Sequence, residues 1–272
     1  MSPEKKISIH GKKALSGNMP SAVGGFFFIS LAIMLLVYGI YLIFALGNFA
    51  LLKLENTLPF AKEIRNSFTY ASYALVPIAV CFGLVLLSPL FLGLIRFYYL
   101  LAKGKSPNFS EVFRYVGKGY SHALYLCVTV ILRCFLRILL PLVPVFVSLI
   151  SLYFVTLELE SLAFYHVIWY GISYVLIFAG FLGATALCQK YFLCCFIFFE
   201  DENLQIDEIL YRSKEYIAPF RGTTLKLMLT LSPCILSCIL IIPAVFVIPY
   251  VLTCLSISAK WLLKLKFESK DD

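Results

Sequence analysis

Apolar and polar positions along this chain fall into blocks rather than alternating. No charged residue occurs from Val23 to Leu52, from Tyr70 to Ile95, from Ile138 to Leu157 or from Leu227 to Ala259. Charge-free apolar runs of about 18 residues or more predict membrane-crossing helices. At 1.5 Å per residue, about 20 residues cross a hydrocarbon core of ~30 Å. The first crossing is predicted near Ala22–Leu46, and the second near Ala71–Arg96, after the polar segment Lys53–Arg65. A third lies within Tyr120–Leu157 and a fourth within Ser161–Phe199, separated by Glu158 and Glu160. The last stretch, Thr224–Leu263, would be ~60 Å long as one helix, twice the hydrocarbon thickness. It is predicted to divide near Ile242-Pro243, where proline removes a backbone donor and crowds the preceding turn. The expected fold is an all-α polytopic transmembrane helix bundle of about six spans. It forms a single integral membrane domain over 1–272, with a basic tail at 1–21 and a polar tail at 265–272.

Two polar intervals carry a helical pattern of their own. Phe109-Ser110-Glu111-Val112-Phe113 follows Lys103-Gly104-Lys105-Ser106-Pro107-Asn108. Ile206-Asp207-Glu208-Ile209-Leu210 follows Glu200-Asp201-Glu202-Asn203. Ser110 and Asp207 are placed as N-caps. The apolar faces (Val112, Phe113, Val116; Ile206, Ile209, Leu210) predict short amphipathic helices lying in the membrane interface on the cytoplasmic side. The likeness of Ser110–Phe113 to Asp207–Leu210 hints at an internal duplication. A second echo joins Pro89, Tyr99 and Lys103 to Pro249, Trp261 and Lys264. Pro89, Pro233 and Pro249 are expected to kink their helices.

Charge sets the orientation. With six spans both termini share a side with Lys5, Lys6, Lys12, Lys13, Lys103, Lys105, Arg114, Lys118, Arg212, Lys214, Arg221, Lys264, Lys266 and Lys270. The other side holds only Lys53, Lys62 and Arg65 among basic residues, which makes the basic side cytoplasmic. The apolar run after Lys13 is about twice or more the length of a secretory h-region, ~7–15 residues, so the first span is expected to remain as an anchor. Hydrophobic residues make up 61% of the chain and charged ones 14%, too few charges for an ordinary soluble surface. The formal net charge of +8 forms no contiguous arm, so nucleic acid is not the expected partner. Membrane lipids, with anionic headgroups drawn to the basic flanks, are.

Catalytic chemistry is sparse. The nine cysteines lie in apolar stretches without C-x-x-C spacing or a nearby histidine, which reads as packing rather than a metal site. His10, His122 and His166 are scattered, no nucleotide, zinc-protease or nucleophile motif appears, and no cofactor is implied. No Asp or Glu sits well inside a span, which argues against ion-coupled transport. The exceptions to the charge pattern are basic. Counting back from Glu158 and forward from Glu160 brings Arg133, Arg137 and Lys190 to the cytoplasmic interface, with Arg96 at a similar level. Arg96, Arg133, Arg137 and Lys190 are therefore a candidate belt for anionic headgroups. The alternative is that each snorkels separately or pairs with Glu200, Asp201 or Glu202. The apolar turns beyond them, Ser121–Leu132 and Tyr191–Phe199, are expected to project past the hydrocarbon or fold along it.

Several segments resemble a family. Gly11–Asn18, Pro89-Leu90 with Gly93, Leu100–Gly104, Phe109–Phe113, Glu200–Asn203 with Glu208 and Ser213-Lys214, and Pro249-Tyr250 occur in the order seen in bacterial integral membrane proteins of domain-of-unknown-function family 975. The proline of that family's fourth-span Ile-Pro-Gly is missing near Phe178–Gly180 and Leu182-Gly183. The resemblance implies a multi-span architecture distantly similar to the membrane domain of some glycerophosphodiester phosphodiesterases, and no catalytic residues. The expected function is that of a non-enzymatic bacterial inner-membrane protein with a lipid-binding or membrane-support role. The alternative is a permease or exporter subunit with no energy source of its own, built around a polar cavity near Pro89, Pro233 and Pro249.

Overall fold

The computed structural model describes residues 3–55, 60–117, 119–157, 164–237 and 241–268. The described chain forms ten α-helices, three short 3₁₀ turns and no strand. The helices are α1 (Pro3–Ser16), α2 (Met19–Glu55), α3 (Ala61–Leu86), α4 (Ser88–Ala102) and α5 (Tyr120–Leu157). Then come α6 (Phe164–Cys188), α7 (Cys194–Glu200), α8 (Ile206–Ile217), α9 (Arg221–Ser237) and α10 (Ile241–Glu268). The expected separators Glu158 and Glu160, together with Cys238, Lys118 and the last four residues, lie outside the described residues.

Two long antiparallel hairpins, α2–α3 and α5–α6, rise from a base built of shorter helices. The hairpins carry the apolar surface. Beyond Ile33, α2 exposes Met34, Leu35, Tyr38, Leu42, Ile43, Leu46 and Phe49. That stretch to Leu54 is ~31 Å long, the thickness of a hydrocarbon core. Near its far end Thr69 Oγ1 donates to Asn48 Oδ1 at 2.9 Å, satisfying two polar groups between apolar helices. The base instead buries its apolar side chains in protein. One cluster gathers Leu92, Tyr99, Leu126, Phe196, Phe198, Ile209 and Leu262 from α4, α5, α7, α8 and α10, with Tyr115 from the turn before α5. A second joins Ala22 and Ile29 of α2 to Leu94, Tyr98 and Val112.

Among the described residues, five helical stretches are long and apolar enough to cross a membrane: Met19–Leu54, Lys62–Leu86, Tyr120–Tyr153, Val167–Glu200 and Pro243–Leu265. The chain is thus an apolar, multi-pass helical protein. The expected second span is interrupted. α3 ends at Leu86, and α4 restarts with Pro89 in its first turn, where a missing N–H costs nothing. Pro89 is therefore a helix start rather than a kink, and most of α4 is buried in the base. Pro233 and Pro249 lie inside α9 and α10. α9 has 17 residues, ~26 Å, and is shorter than the hydrocarbon core is thick. Ile242-Pro243, the expected point of division, lies in the first turn of α10, and residues 238–240 before it lie outside the described residues.

Packing bears on three further expectations. The 1–21 segment is no tail. α1 turns Ile7, Gly11 and Leu15, spaced four apart, into the structure, and Ser8 Oγ lies 2.7 Å from Tyr250 Oη. Likewise α10 continues to Glu268, into the expected polar tail. In the two amphipathic segments Val112, Ile206, Ile209 and Leu210 are buried in protein, whereas Phe113 and Val116 stay exposed. Their caps differ too. Asn108 and Gln205 occupy the N-cap positions, which leaves Asp207 free for the first turn of α8. Finally, Ala123 and Leu126, with Tyr191, Leu193, Cys194, Phe196, Ile197, Phe198 and Phe199, are buried at the centre of the base, while Tyr125, Ile131 and Leu132 stay exposed.

Candidate functional site

Arg96 lies on the buried helix α4 and faces the 109–116 segment. Its Nε donates to Glu111 Oε2 at 3.2 Å, and its Nη1 to Glu202 Oε1 at 2.7 Å and Tyr115 Oη at 2.9 Å. The guanidinium also lies over the rings of Tyr115 and Phe199, at 5.8 and 6.0 Å. Glu202 collects a second cation, Arg114 Nε at 3.2 Å, and accepts from Tyr115 Oη at 3.1 Å. Burial, reinforced by Glu202 and opposed by Arg96, pushes the Tyr115 phenol above its ordinary range, so it remains an O–H donor at neutral pH. Beside this network Glu200 accepts from Tyr99 Oη and pairs with Lys103 Nζ at 2.6 Å. Asp201 Oδ1 accepts the Asn203 N–H at 3.0 Å and holds the acidic turn in shape. Arg96 is thus neutralised by carboxylates from two segments 91 residues apart, Glu111 and Glu202.

The other three belt residues sit elsewhere on the base. Arg133 pairs with Asp207 at 3.0 Å, but the carboxylate is almost fully exposed, so the pair contributes little stability. Arg137 stands over the buried Tyr191 ring at 5.1 Å. Lys214 Nζ approaches the same ring at 6.0 Å. Ser213 Oγ donates to the Lys190 carbonyl at 2.9 Å and so anchors α8 to the 3₁₀ turn at Gln189–Tyr191. Lys190 lies within electrostatic reach of Arg137, Arg221 and Lys214. Among the described residues none of these four cations forms an ion pair. The structure therefore brings Arg137 and Lys190 together, adds Lys214 and Arg221, and commits Arg96 and Arg133 to carboxylates. Lys214 and Arg221 were invisible as site residues in sequence, because α8 folds back over the end of α6 only in three dimensions.

The cysteines are closer than their sequence spacing suggests. Cys134 adjoins Cys188 and Cys194, and Cys195 adjoins Cys127, where α5 meets α7. The described residues contain no group of three or more His, Cys, Asp or Glu side chains set to hold a metal ion. α1 packs on α10 at Tyr250 and Cys254: a Cβ on Gly11 would lie 2.7 Å from Cys254 Sγ.

Neither a family model, nor a curated protein, nor a solved structure matches this chain.

Proposed function

We propose that this chain is a non-enzymatic, multi-pass protein of the bacterial inner membrane that holds anionic lipid headgroups at Arg137, Lys190, Lys214 and Arg221. The observation that carries the reading is Arg137 and Lys214 over the Tyr191 ring, with Lys190 within electrostatic reach of both and of Arg221, and no ion pair to any of the four among the described residues. Like charges held close repel one another, and a phosphate placed among them relieves that repulsion. Two of the four are arginines, whose forked donors match phosphate oxygens in pairs. Basic pockets at the cytoplasmic ends of membrane helices are suited to such headgroups.

The bacterial assignment and membership of the family named above rest on the ordered motifs. The reading keeps six crossings, with α9 as the short one and both termini cytoplasmic. In support, side chains of α1 and of the C-terminal part of α10 line one shared cavity, as an even number of crossings requires. Arg96 serves here as an internal clamp rather than a headgroup ligand.

The test is the anionic lipid that co-purifies with the full chain from membranes of known composition. In the R137Q/K190Q/K214Q/R221Q variant it should fall by about half or more, since each basic residue near a membrane surface adds ~1 kcal/mol of attraction. R133Q, which removes a cation already paired, should leave it unchanged. A folded quadruple variant with wild-type lipid content would refute the reading.

A further inference from the structure

A cavity of about 910 Å³ lies between α1, the end of α4 and the C-terminal part of α10. Its wall carries Lys6, Lys13, Lys103, Lys105, Lys260 and Lys264, with no Asp or Glu among the described lining residues. The lysines come in pairs from three segments far apart in the chain, so no local basic run accounts for them. The fold assembles them. α1 is fixed by Ile7, Gly11 and Leu15. The chain turns out of α4 at Gly104, whose φ of 81° disfavours any residue with a Cβ. Gly104 N–H donates to the Leu101 carbonyl at 2.9 Å and Lys105 N–H to that of Leu100 at 3.1 Å, a Schellman closure that sets Lys103 and Lys105 at the wall. Lys260 Nζ donates to the Ala102 carbonyl at 3.0 Å, which ties α10 to the same turn.

The wall stays positive after its neighbours are counted. Glu200 neutralises Lys103, and the C-termini of α1 and α4 each contribute only about −0.5 charge. Lys6, Lys13 and Lys105 have no ion pair among the described residues. Part of the lining is apolar, from Leu101, Ile257 and Trp261. The volume falls in the range of small-molecule sites, ~300–1,000 Å³, far more than one phosphate needs.

We propose that this cavity binds a phosphate-bearing anion whose attached organic part packs on Leu101, Ile257 and Trp261. Lysine ammonium groups act as mobile point charges on the phosphate, without the fixed fork of arginine. The site is separate from the Tyr191 patch, being built on different helices. The shared chemistry leaves two sources, a phospholipid headgroup or a free organic phosphate.

Trp261 is a built-in probe, since the chain has only two tryptophans and Trp169 can be replaced by Phe. In the detergent-solubilised full chain carrying W169F, Trp261 emission is titrated with dihexanoyl phosphatidic acid and, separately, with glycerol 3-phosphate. A saturable change with both assigns a free phosphate ester as sufficient; a change with phosphatidic acid alone assigns the lipid. The K6Q/K13Q/K105Q variant should bind about 100-fold more weakly, at ~1 kcal/mol per lysine. These side chains are exposed, so folding does not depend on them. K6R/K13R/K105R should keep near wild-type affinity, and R137Q/K190Q/K214Q/R221Q should not change it. The proposal is overturned if neither probe gives a saturable change or if the Gln variant binds like wild type. It is equally overturned if the charge-keeping Arg variant loses as much affinity as the Gln variant. Because the Tyr191 variant is read separately, either site can fail while the other stands.

Discussion

Arg96 and Glu202 join parts of the chain that sequence keeps 106 residues apart, through a bond of 2.7 Å. The Arg96 side chain is largely enclosed, while Glu202 keeps partial access to water. Such a pair lies between the surface case, worth little, and the buried case, where removal of one partner is severe. Hydrogen bonds to charged groups in this setting contribute about 1.5–3 kcal/mol. R96Q and E202Q should therefore each lower stability by roughly 2 kcal/mol. The double variant should lose clearly less than the sum, with a coupling of about 1 kcal/mol or more measured by thermal unfolding in detergent. Additive losses would mean that the pair does not act as a unit. Arg96 was readable in sequence as an exceptional charge and Glu202 as one of its three alternative partners, but Glu111 was not. Glu111 sits in a polar interval that looks interchangeable with any solvated loop until the base closes around it.

On α4, the element that carries Arg96, Gly93 admits the 109–113 segment. A Cβ at this position would lie 2.0 Å from the Val112 carbonyl oxygen, a backbone atom that cannot yield without moving the whole turn. Gly93→Ala should therefore cost about 3 kcal/mol or more, as an overpacked contact does. Gly117→Ala, at a position with nothing within 4 Å, should stay within about 0.5 kcal/mol. Equal melting temperatures for the two would contradict this docking.

The same elements explain what the sequence could and could not convey. The apolar period of α8 was legible as Ile206, Ile209 and Leu210; its destination was not, because lipid tails are as apolar as leucine. A face that meets a bilayer and a face that meets Phe196 and Leu262 read alike. Tyr191–Phe199 follows the same rule: an apolar run signals burial without naming the solvent that is excluded. The α3–α4 break was signalled by Pro89, but a proline alone does not distinguish a kink from a restart. The docking of α1 was present as Ile7, Gly11 and Leu15 at four-residue spacing, masked by the surrounding lysines.

At the scale of the molecule, two apolar hairpins stand on a base where most of the basic residues gather. The base contains α4, α7, α8, α1 and the end of α10 around shared clusters. The far end of the α2–α3 hairpin carries Lys53, Lys62 and Arg65. On the proposed reading, the base and the far end of the α2–α3 hairpin lie on opposite faces of the bilayer, with the lysine-rich base on the cytoplasmic face. Phe60, at the tip of the first hairpin, and Ser106, at the wall of the lysine cavity, are both exposed and mark the two faces. The direct measurement is labelling of F60C and S106C by a membrane-impermeant maleimide in intact spheroplasts, against the wild-type chain as baseline. The account predicts labelling of F60C in sealed cells, and of S106C only after permeabilisation. Labelling of both residues from the same side, or of S106C alone in sealed cells, would contradict it.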